Sequence, residues 1–270
     1  MTVPAALVRP RRPPRSAFAL IACAAAAALT LLAMWDWKYG IGFSFRSLVT
    51  EITRKNAVIE GLLHPNWGQA LRPRTRQAFI ETLYIAVLGT TGGAVVALPL
   101  ALWSTRFGAP ITWFRVVVRA LTNVIRAVPD ILWALLFVAL VGIKALPGIL
   151  ALFFFSIAVI TKLTADTLDG IDMGPLEAAD AAGARHHQML RLAVVPQILP
   201  TYVSFVLYAF EVNVRSSVVL GLVGAGGIGE RLDFFSANLR WDAVWGIVVL
   251  FFAVVFVIER FSTWLRRRLV

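Results

Sequence analysis

Residues 177–196 read EAADAAGARHHQMLRLAVVP, a polar stretch between two apolar segments that are each long enough to cross a lipid bilayer. Its alanines and charged residues favour helix, whereas Gly183 permits a sharp turn or the close approach of a partner. Pro196 lacks a backbone N–H and is expected to end the second of two helices. The stretch therefore predicts a compact knob of two short helices in a loop that joins two membrane spans.

The composition is that of a chain that uses lipid as its solvent. Hydrophobic residues make up 59% and charged residues 15%, whereas soluble domains contain roughly 45–50% apolar and about 25% charged residues. The net charge is +11, but the cations lie at the ends of apolar runs, and no basic helix with interleaved aromatic residues occurs. We therefore expect a membrane protein that contacts lipid and binds no nucleic acid.

The sequence offers little for metal or nucleotide chemistry. Cys23 is the sole cysteine, so a disulfide within the chain is excluded, and the three histidines lack the spacing of a helical zinc site. No GxxxxGK[ST] phosphate-binding loop is present. We expect no cofactor in this chain, and any ATP that drives its function must be bound by another polypeptide.

Six apolar runs predict an all-α polytopic membrane protein with about six transmembrane helices. The first run is also compatible with a signal peptide, but it continues beyond the small residues that a cleavage site requires. An even number of spans places both termini on the same side. The runs cover residues 17–35, 79–103, 116–143, 146–168, 198–222 and 243–264.

The segment before the second run is polar, and its stretch FRSLVTEITRKNAVIEGLL has apolar residues at helical spacing, followed by the breaker His64-Pro65-Asn66. This pattern indicates an interfacial helix outside the bilayer. We therefore expect two regions. Residues 1–76 comprise a cytoplasmic tail, the first span and an external amphipathic segment, and residues 77–270 form the transmembrane domain.

The positive-inside rule places both termini and the 177–196 loop in the cytoplasm, because most arginine clusters then lie on that side. The external part of the N-terminal region departs from this rule. Between positions 36 and 76 it carries seven cations, which are Lys38, Arg46, Arg54, Lys55, Arg72, Arg74 and Arg76.

Several motifs resemble those of a known family from about Trp67 to the C-terminal arginines. They are Glu81-Thr82-Leu83, IRAVPDILWALLFVALVG, the 177–196 loop, PQILP after it, and EVNVRSSVVLGLVGAGGIG. Together they resemble the phosphonate-importer permeases, which are type I ABC importer subunits, and the loop resembles their EAA signature. The loop departs from that signature at positions 193–195, where Ala-Val-Val replaces Ile-x-Leu before the proline.

The resemblance implies that residues 170–197, called here the coupling segment, contact a separate ATPase in the cytoplasm. It also implies a second copy of this chain, two ATPase subunits that bind ATP and Mg, an extracytoplasmic solute-binding protein, and the bacterial inner membrane as location. An ordinary amphipathic connector is the alternative for the segment. The residues expected to carry coupling are Glu177, Ala178, Ala179, Gly183, Arg185 and Pro196.

Ionisable side chains inside the predicted spans are energetically costly, so they should pair or face water. Three acid–base pairs have a spacing of four, which allows each pair to meet on one helical face. They either neutralise one another or form a weakly cationic path for a phosphorus oxyanion, since guanidinium groups match oxyanion geometry. The candidate path residues are Arg126, Asp130, Lys162, Asp166, Glu211, Asn213, Arg215, Ser216 and Ser217.

GAGGIG at residues 224–229 formally matches the dinucleotide fingerprint, but it joins two bilayer-length segments rather than a strand and a helix. We expect a re-entrant or tightly turned outer loop near the pore mouth instead. Phosphonate, phosphate and phosphite share the charged group and stay open as substrates. The alternatives are a permease for an unrelated solute, a membrane enzyme acting on a lipid or phosphate ester, and an ATP-independent carrier. No converging acid–base site or internal repeat supports the last two.

Overall fold

The structure is a computed structural model that describes residues 17–34, 50, 56–106, 108–109 and 111–269. It divides into two units, Met1–Asn56 and Ala57–Val270. Helix α1 (Ala17–Met34) lies in the first unit. Most of the predicted external helix falls outside the described residues. Its last part is helical and ends at Leu63, before the predicted breaker.

All regular elements in the described part of the chain are helical, which confirms the predicted all-α class. The helices after α1 are α2 (Asn56–Leu63), α3 (Trp67–Ala70), α4 (Pro73–Trp103), α5 (Thr112–Ala127), α6 (Asp130–Val141), α7 (Ala145–Asp169), α8 (Gly174–Ala181), α9 (His186–Met189), α10 (Val195–Leu222), α11 (Ile228–Ala237) and α12 (Trp241–Leu269). A π-helical turn, Leu190–Val194, joins α9 to α10.

The six predicted spans are not confirmed in number. Within the described residues, four helical stretches are long and apolar enough to cross a membrane, namely Pro73–Trp103, Ala145–Asp169, His186–Leu222 and Trp241–Arg268. Helices α5 and α6 add a fifth only if they count as one span, since they are bent by 86°. The described apolar stretch of α1, Leu20–Met34, is shorter than a full span.

The predicted span at 116–143 is broken because of a proline. Val128 has an extended backbone, with φ −88° and ψ 122°, as expected for a residue that precedes proline. Pro129 then leads into α6. A continuous apolar run therefore becomes an amphipathic helix followed by a short apolar helix.

Helix α4 is central to the second unit and packs against α7 and α10. Small residues allow this close packing, as in many membrane helix pairs: a Cβ on Gly89 would lie 2.7 Å from the Leu152 side chain. Polar groups between the helices are hydrogen bonded. Asn213 Nδ2 donates to Thr90 Oγ1 and Ser156 Oγ, at 2.7 Å in both cases.

The two ends of α4 contact different apolar clusters. Near its C-terminal end, Ala101 packs with Leu168, Leu176 and Ile198. Near its N-terminal end, buried residues of α4 pack against α11 and α12; this cluster includes Ala78, Phe79, Ile228, Phe235, Ala243 and Ile247. Because Ala78 and Ala101 are 23 positions apart on α4, the two clusters are separated along it by roughly 35 Å at the helical rise of about 1.5 Å per residue.

Candidate coupling segment and translocation path

The coupling segment contains a short helix and the start of a second helical stretch, on either side of the predicted glycine. Helix α8 covers Gly174–Ala181 and helix α9 covers His186–Met189. Gly183 lies between them with φ +73°, a conformation that glycine adopts without the steric penalty of a side chain. The Arg185 N–H donates to Gln188 Oε1 at 2.8 Å and so caps α9. The predicted turn at Gly183 is therefore confirmed.

Buried apolar side chains anchor the coupling segment to the helices, with Leu176 on α8 and Ala193 and Val194 in the π-helical turn. Leu176 is 3% exposed and lies in the cluster with Ala101 and Leu168. The neighbouring Glu177 and Ala178 are exposed, as are Gly183 and Arg185, whereas Ala179 is half-buried. Helix α8 thus presents a polar outer surface and is attached through its one buried side chain, Leu176.

Pro196 does not end the second helix, contrary to the prediction. The chain continues as a helical stretch from His186 to Leu222, with Pro196 in the first turn of α10. The π-helical turn Leu190–Val194 precedes it. A proline removes one backbone donor and crowds the carbonyl four residues earlier, and a widened turn accommodates both effects.

The histidines of the coupling segment are not part of a metal-holding group among the described residues. His186 and His187 are exposed on α9. Among the described residues, no group of three His, Cys, Asp or Glu side chains is arranged to hold a metal ion.

Of the three predicted ion pairs within helices, one is confirmed. Lys162 Nζ lies 2.5 Å from Asp166 Oδ1 on α7. The predicted pair of Arg126 and Asp130 is wrong, because the bend at Pro129 separates them into two helices. Arg126 instead donates to Asn123 Oδ1 at 3.1 Å, and Asp130 accepts from the backbone N–H of Ile131.

The predicted pair of Glu211 and Arg215 is also wrong, because each residue has a partner on α12. Arg266 donates to Glu211 at 2.6 Å, and Arg215 donates to Glu259 at 2.8 Å. The two bridges join α10 to α12, which packs against it. Sequence spacing along α10 cannot reveal partners on another helix.

Three neutral path candidates lie near these bridges. Asn213 is fully buried between α4, α7 and α10. Ser217 is 2% exposed and donates to the Val214 carbonyl at 2.8 Å. Ser216 is half-buried. Asn213 and Ser217 therefore belong to the helix packing in this conformation, and their predicted role in the path stays a prediction.

Two cavities of about 130 and 170 Å³ lie where α7 meets α5 and the start of α6. Lys162 and Asp166 line the smaller one, and Arg126 and Asp130 line the larger one. We call these cavities together the charged seam. Four of the predicted path residues thus lie along a single contact between helices.

The prediction missed Arg119, which also lines the charged seam. Its Nε donates to the Ser104 carbonyl at 2.6 Å, and its Nη2 bonds to Asp169 at 2.9 Å. It thereby ties α5 to the ends of α4 and α7. The spacing of arginines at 115, 119 and 126 in an amphipathic helix was the available signal.

The glycine run forms the predicted tight turn. Gly224, Gly226 and Gly227 all have positive φ, from 77° to 88°. The Ile228 N–H that follows donates to Thr82 Oγ1 at 2.7 Å. The turn therefore joins two helices, α10 and α11, and it contacts the Glu81-Thr82-Leu83 motif.

The chain matches a known family and several of its members. Residues 97–270 match the family described as binding-protein-dependent transport system inner membrane component. The chain is 40% identical, over 70% of its length, to the phosphate-import permease protein PhnE of Mycolicibacterium smegmatis, but spans only 35% of that protein. It is 38% identical, over 70% of its length, to the phosphite transport system permease protein PtxC of Stutzerimonas stutzeri and spans 68% of it.

A solved structure shares the fold. The MetNI methionine ABC transporter, in an inward-facing conformation, has a chain that this one resembles with a TM-score of 0.62 and 24% identity. The match covers 74% of this chain and 100% of that one. The type I importer permease fold predicted from the sequence is thereby confirmed.

Proposed function

The chain belongs to the family of binding-protein-dependent transport system inner membrane components, and from this we propose that it is the permease subunit of an ATP-driven importer for phosphonate or a related phosphorus oxyanion. Membership of this family makes it a multi-pass transport component of the inner membrane and not an enzyme. The relatives that transport phosphate and phosphite by name support a tetrahedral phosphorus oxyanion as substrate. Phosphonate shares the same charged group.

The observation that carries the proposal is the coupling segment. It has a polar, exposed outer surface, it is attached through the buried Leu176, and it leads directly into the long helix α10. A force applied to this knob by a partner would therefore act on a spanning helix. We infer that two ATPase subunits, which bind ATP and Mg, contact Glu177, Ala178, Gly183 and Arg185 on two copies of this chain.

We infer that the charged seam contributes to the path. Lys162 and Asp166 have side-chain exposures of 45% and 54% on a spanning helix. A charge exposed to lipid is strongly unfavourable, so these side chains face water or the second copy of the chain. A solute-binding protein would deliver the oxyanion from the outside, and both termini and the coupling segment would then lie in the cytoplasm.

The test is to purify the tagged chain from gently solubilised membranes and to determine what accompanies it. We expect an ATPase with a phosphate-binding loop at equal stoichiometry, together with ATP hydrolysis that a phosphonate-loaded binding protein stimulates. Gly183→Val should weaken that association, because a β-branched residue is strained at φ +73°. Gly183→Asn is the matched control, since asparagine tolerates this conformation.

Two results would contradict the proposal. A chain that purifies without any ATPase would favour a carrier. In the second result, ATP hydrolysis responds to a different class of solute and not to phosphonate, phosphate or phosphite. The chain would then still be an importer subunit, but the proposed substrate would be wrong.

A further inference from the structure

A cavity of about 530 Å³ lies beside the N-terminal end of α4, the end that is remote from the coupling segment. We call it the arginine cavity. Its volume is within the range of roughly 300–1,000 Å³ that is usual for small-molecule sites. Four of its eight lining residues are arginines and none is acidic: Gln69, Arg72, Pro73, Arg74, Arg231, Phe234, Phe235 and Arg240.

The walls of the arginine cavity are fixed by the fold. Thr75 Oγ1 donates to the Gln69 carbonyl at 2.9 Å and holds the turn that carries Arg72 and Arg74. Asn66 bonds to Asp242 through both its backbone and its side chain, at 2.9 Å each, which joins α3 to the start of α12. The arginines are therefore brought together before any ligand is present.

The guanidinium groups are poorly neutralised. Within the part of the chain that the structure describes, no carboxylate pairs with Arg72, Arg74 or Arg231, and the buried Nε of Arg231 has no hydrogen-bond partner. Arg240 is 3.5 Å from Asp242. Like charges gathered around one cavity repel each other, and an anion within it would relieve that repulsion.

Aromatic rings orient two of the arginines. The guanidinium carbon of Arg231 lies 5.5 Å from the ring centre of Phe234 and 5.4 Å from that of Phe235. The Arg240 guanidinium is 5.5 Å from the Phe235 ring. Stacking on a ring leaves the N–H edges of a guanidinium free for hydrogen bonds. Planar donor edges match the oxygens of a phosphoryl group.

The location of these cations also calls for an explanation. Arg72 and Arg74 belong to the segment that the topology places outside, where the positive-inside rule predicts few cations. A functional requirement for positive charge at that point would account for the exception. The cavity lies at the end of α4 opposite the coupling segment, where an imported solute would arrive.

We propose that the arginine cavity is a receiving site for the phosphorus oxyanion at the outer end of the path, an inference that rests on the proposed function. Arg231, with Arg72 and Arg74 beside it, binds the oxygens of the phosphoryl group. The exposed ring of Phe234 is available to the organic substituent of a phosphonate. The site accepts the oxyanion after its release from the binding protein.

The test measures radiolabelled phosphate binding by equilibrium dialysis to the permease–ATPase complex in lipid nanodiscs, without binding protein. We expect saturable binding that methylphosphonate displaces. Arg231→Gln and Arg74→Gln should each weaken it by about tenfold, because each removes a charge-assisted hydrogen bond. Arg267→Gln, which alters an exposed arginine far along α12 from this cavity, is the control.

Unchanged phosphate binding in Arg231→Gln and Arg74→Gln would overturn the inference. It would also be overturned if these variants bound phosphate normally but lost affinity for the binding protein, because the arginines would then dock acidic side chains of that protein. Uptake by cells that depend on the transporter tests the proposed function separately. If the wild type imports no phosphorus oxyanion while the cavity still binds phosphate, the substrate proposal fails and the anion site stands.

Discussion

The two ends of α4 are built in opposite ways. Near Ala101, the coupling segment is attached through the side chain of Leu176, and its polar surface is exposed. Near Thr82, the backbone of the turn between α10 and α11 packs closely against α4, since a Cβ on Gly227 would lie 2.6 Å from Thr82 Oγ1. A Cβ on Gly183, in contrast, would meet nothing within 4 Å.

This difference indicates how the molecule divides its tasks. A partner can displace the coupling segment, because only the apolar contact around Leu176 has to separate. The other end is held by the close approach of the glycine backbone to α4, which leaves no room for a displacement of the turn. Helix α10 connects the two ends, so a displacement of the coupling segment acts on a helix whose far end is fixed.

The largest effect is expected from Leu176→Asp. A carboxylate in the apolar cluster around Ala101 would be desolvated without a partner, which costs several kcal/mol. Helix α8 should detach, association with the ATPase should be lost, and uptake of radiolabelled phosphate should fall to background. Leu176→Met is the control, because it conserves volume and apolar character. Retained coupled uptake in Leu176→Asp would mean that this contact is not the anchor.

Two of the positive-φ glycines, Gly183 and Gly227, provide a comparison of the ends. Asparagine tolerates the left-handed conformation, so Gly183→Asn should be close to wild type in stability and uptake. Gly227 has φ 77° and ψ −160°, a conformation that is essentially restricted to glycine. Gly227→Asn therefore strains the backbone and also adds an overlap with Thr82, whose hydroxyl already accepts from the Ile228 N–H. We expect this variant to lower the midpoint of thermal unfolding in detergent by several degrees, as measured by tryptophan fluorescence. Equal tolerance at both positions would remove the distinction between the ends.

The sequence predicted the features that depend on neighbours along the chain. The all-α class, the turn at Gly183, the tight glycine turn and the Lys162–Asp166 pair each arise within a few consecutive residues. Their geometry follows from helix periodicity and glycine conformation, without knowledge of the packing.

The features that the sequence did not predict correctly depend on tertiary contacts or on a local break in a helix. The pair of Arg126 and Asp130 required a helix that Pro129 interrupts. Glu211 found its partner in Arg266, 55 positions away. The arginine cavity combines residues near position 72 with others near 231, and the only sign of it was an excess of cations on the side where few are expected.

The ion pair of Glu211 and Arg266, which joins α10 to α12 between the two ends, tests a third kind of contact. The side chain of Glu211 is 8% exposed and that of Arg266 is 31% exposed. Arg266→Met leaves a buried carboxylate without its partner, a loss of about 3–5 kcal/mol. The unfolding midpoint should fall clearly, and Glu211→Gln in the same chain should restore most of it. If the double variant were no more stable than Arg266→Met, the bridge would not be the cause.

The smallest effect, and the one that separates a path from a structural ion pair, is expected at Lys162 and Asp166. If the pair lines a path for an anion, Lys162→Gln should lower uptake by about two- to fivefold, corresponding to ~1 kcal/mol or less for an exposed charge. Asp166→Asn should change uptake in the opposite direction, because it removes a repulsive charge. A purely structural pair predicts similar losses in both variants. Initial rates of phosphate uptake, normalised to the amount of inserted protein, distinguish the two, since only the sign of the local charge differs between them.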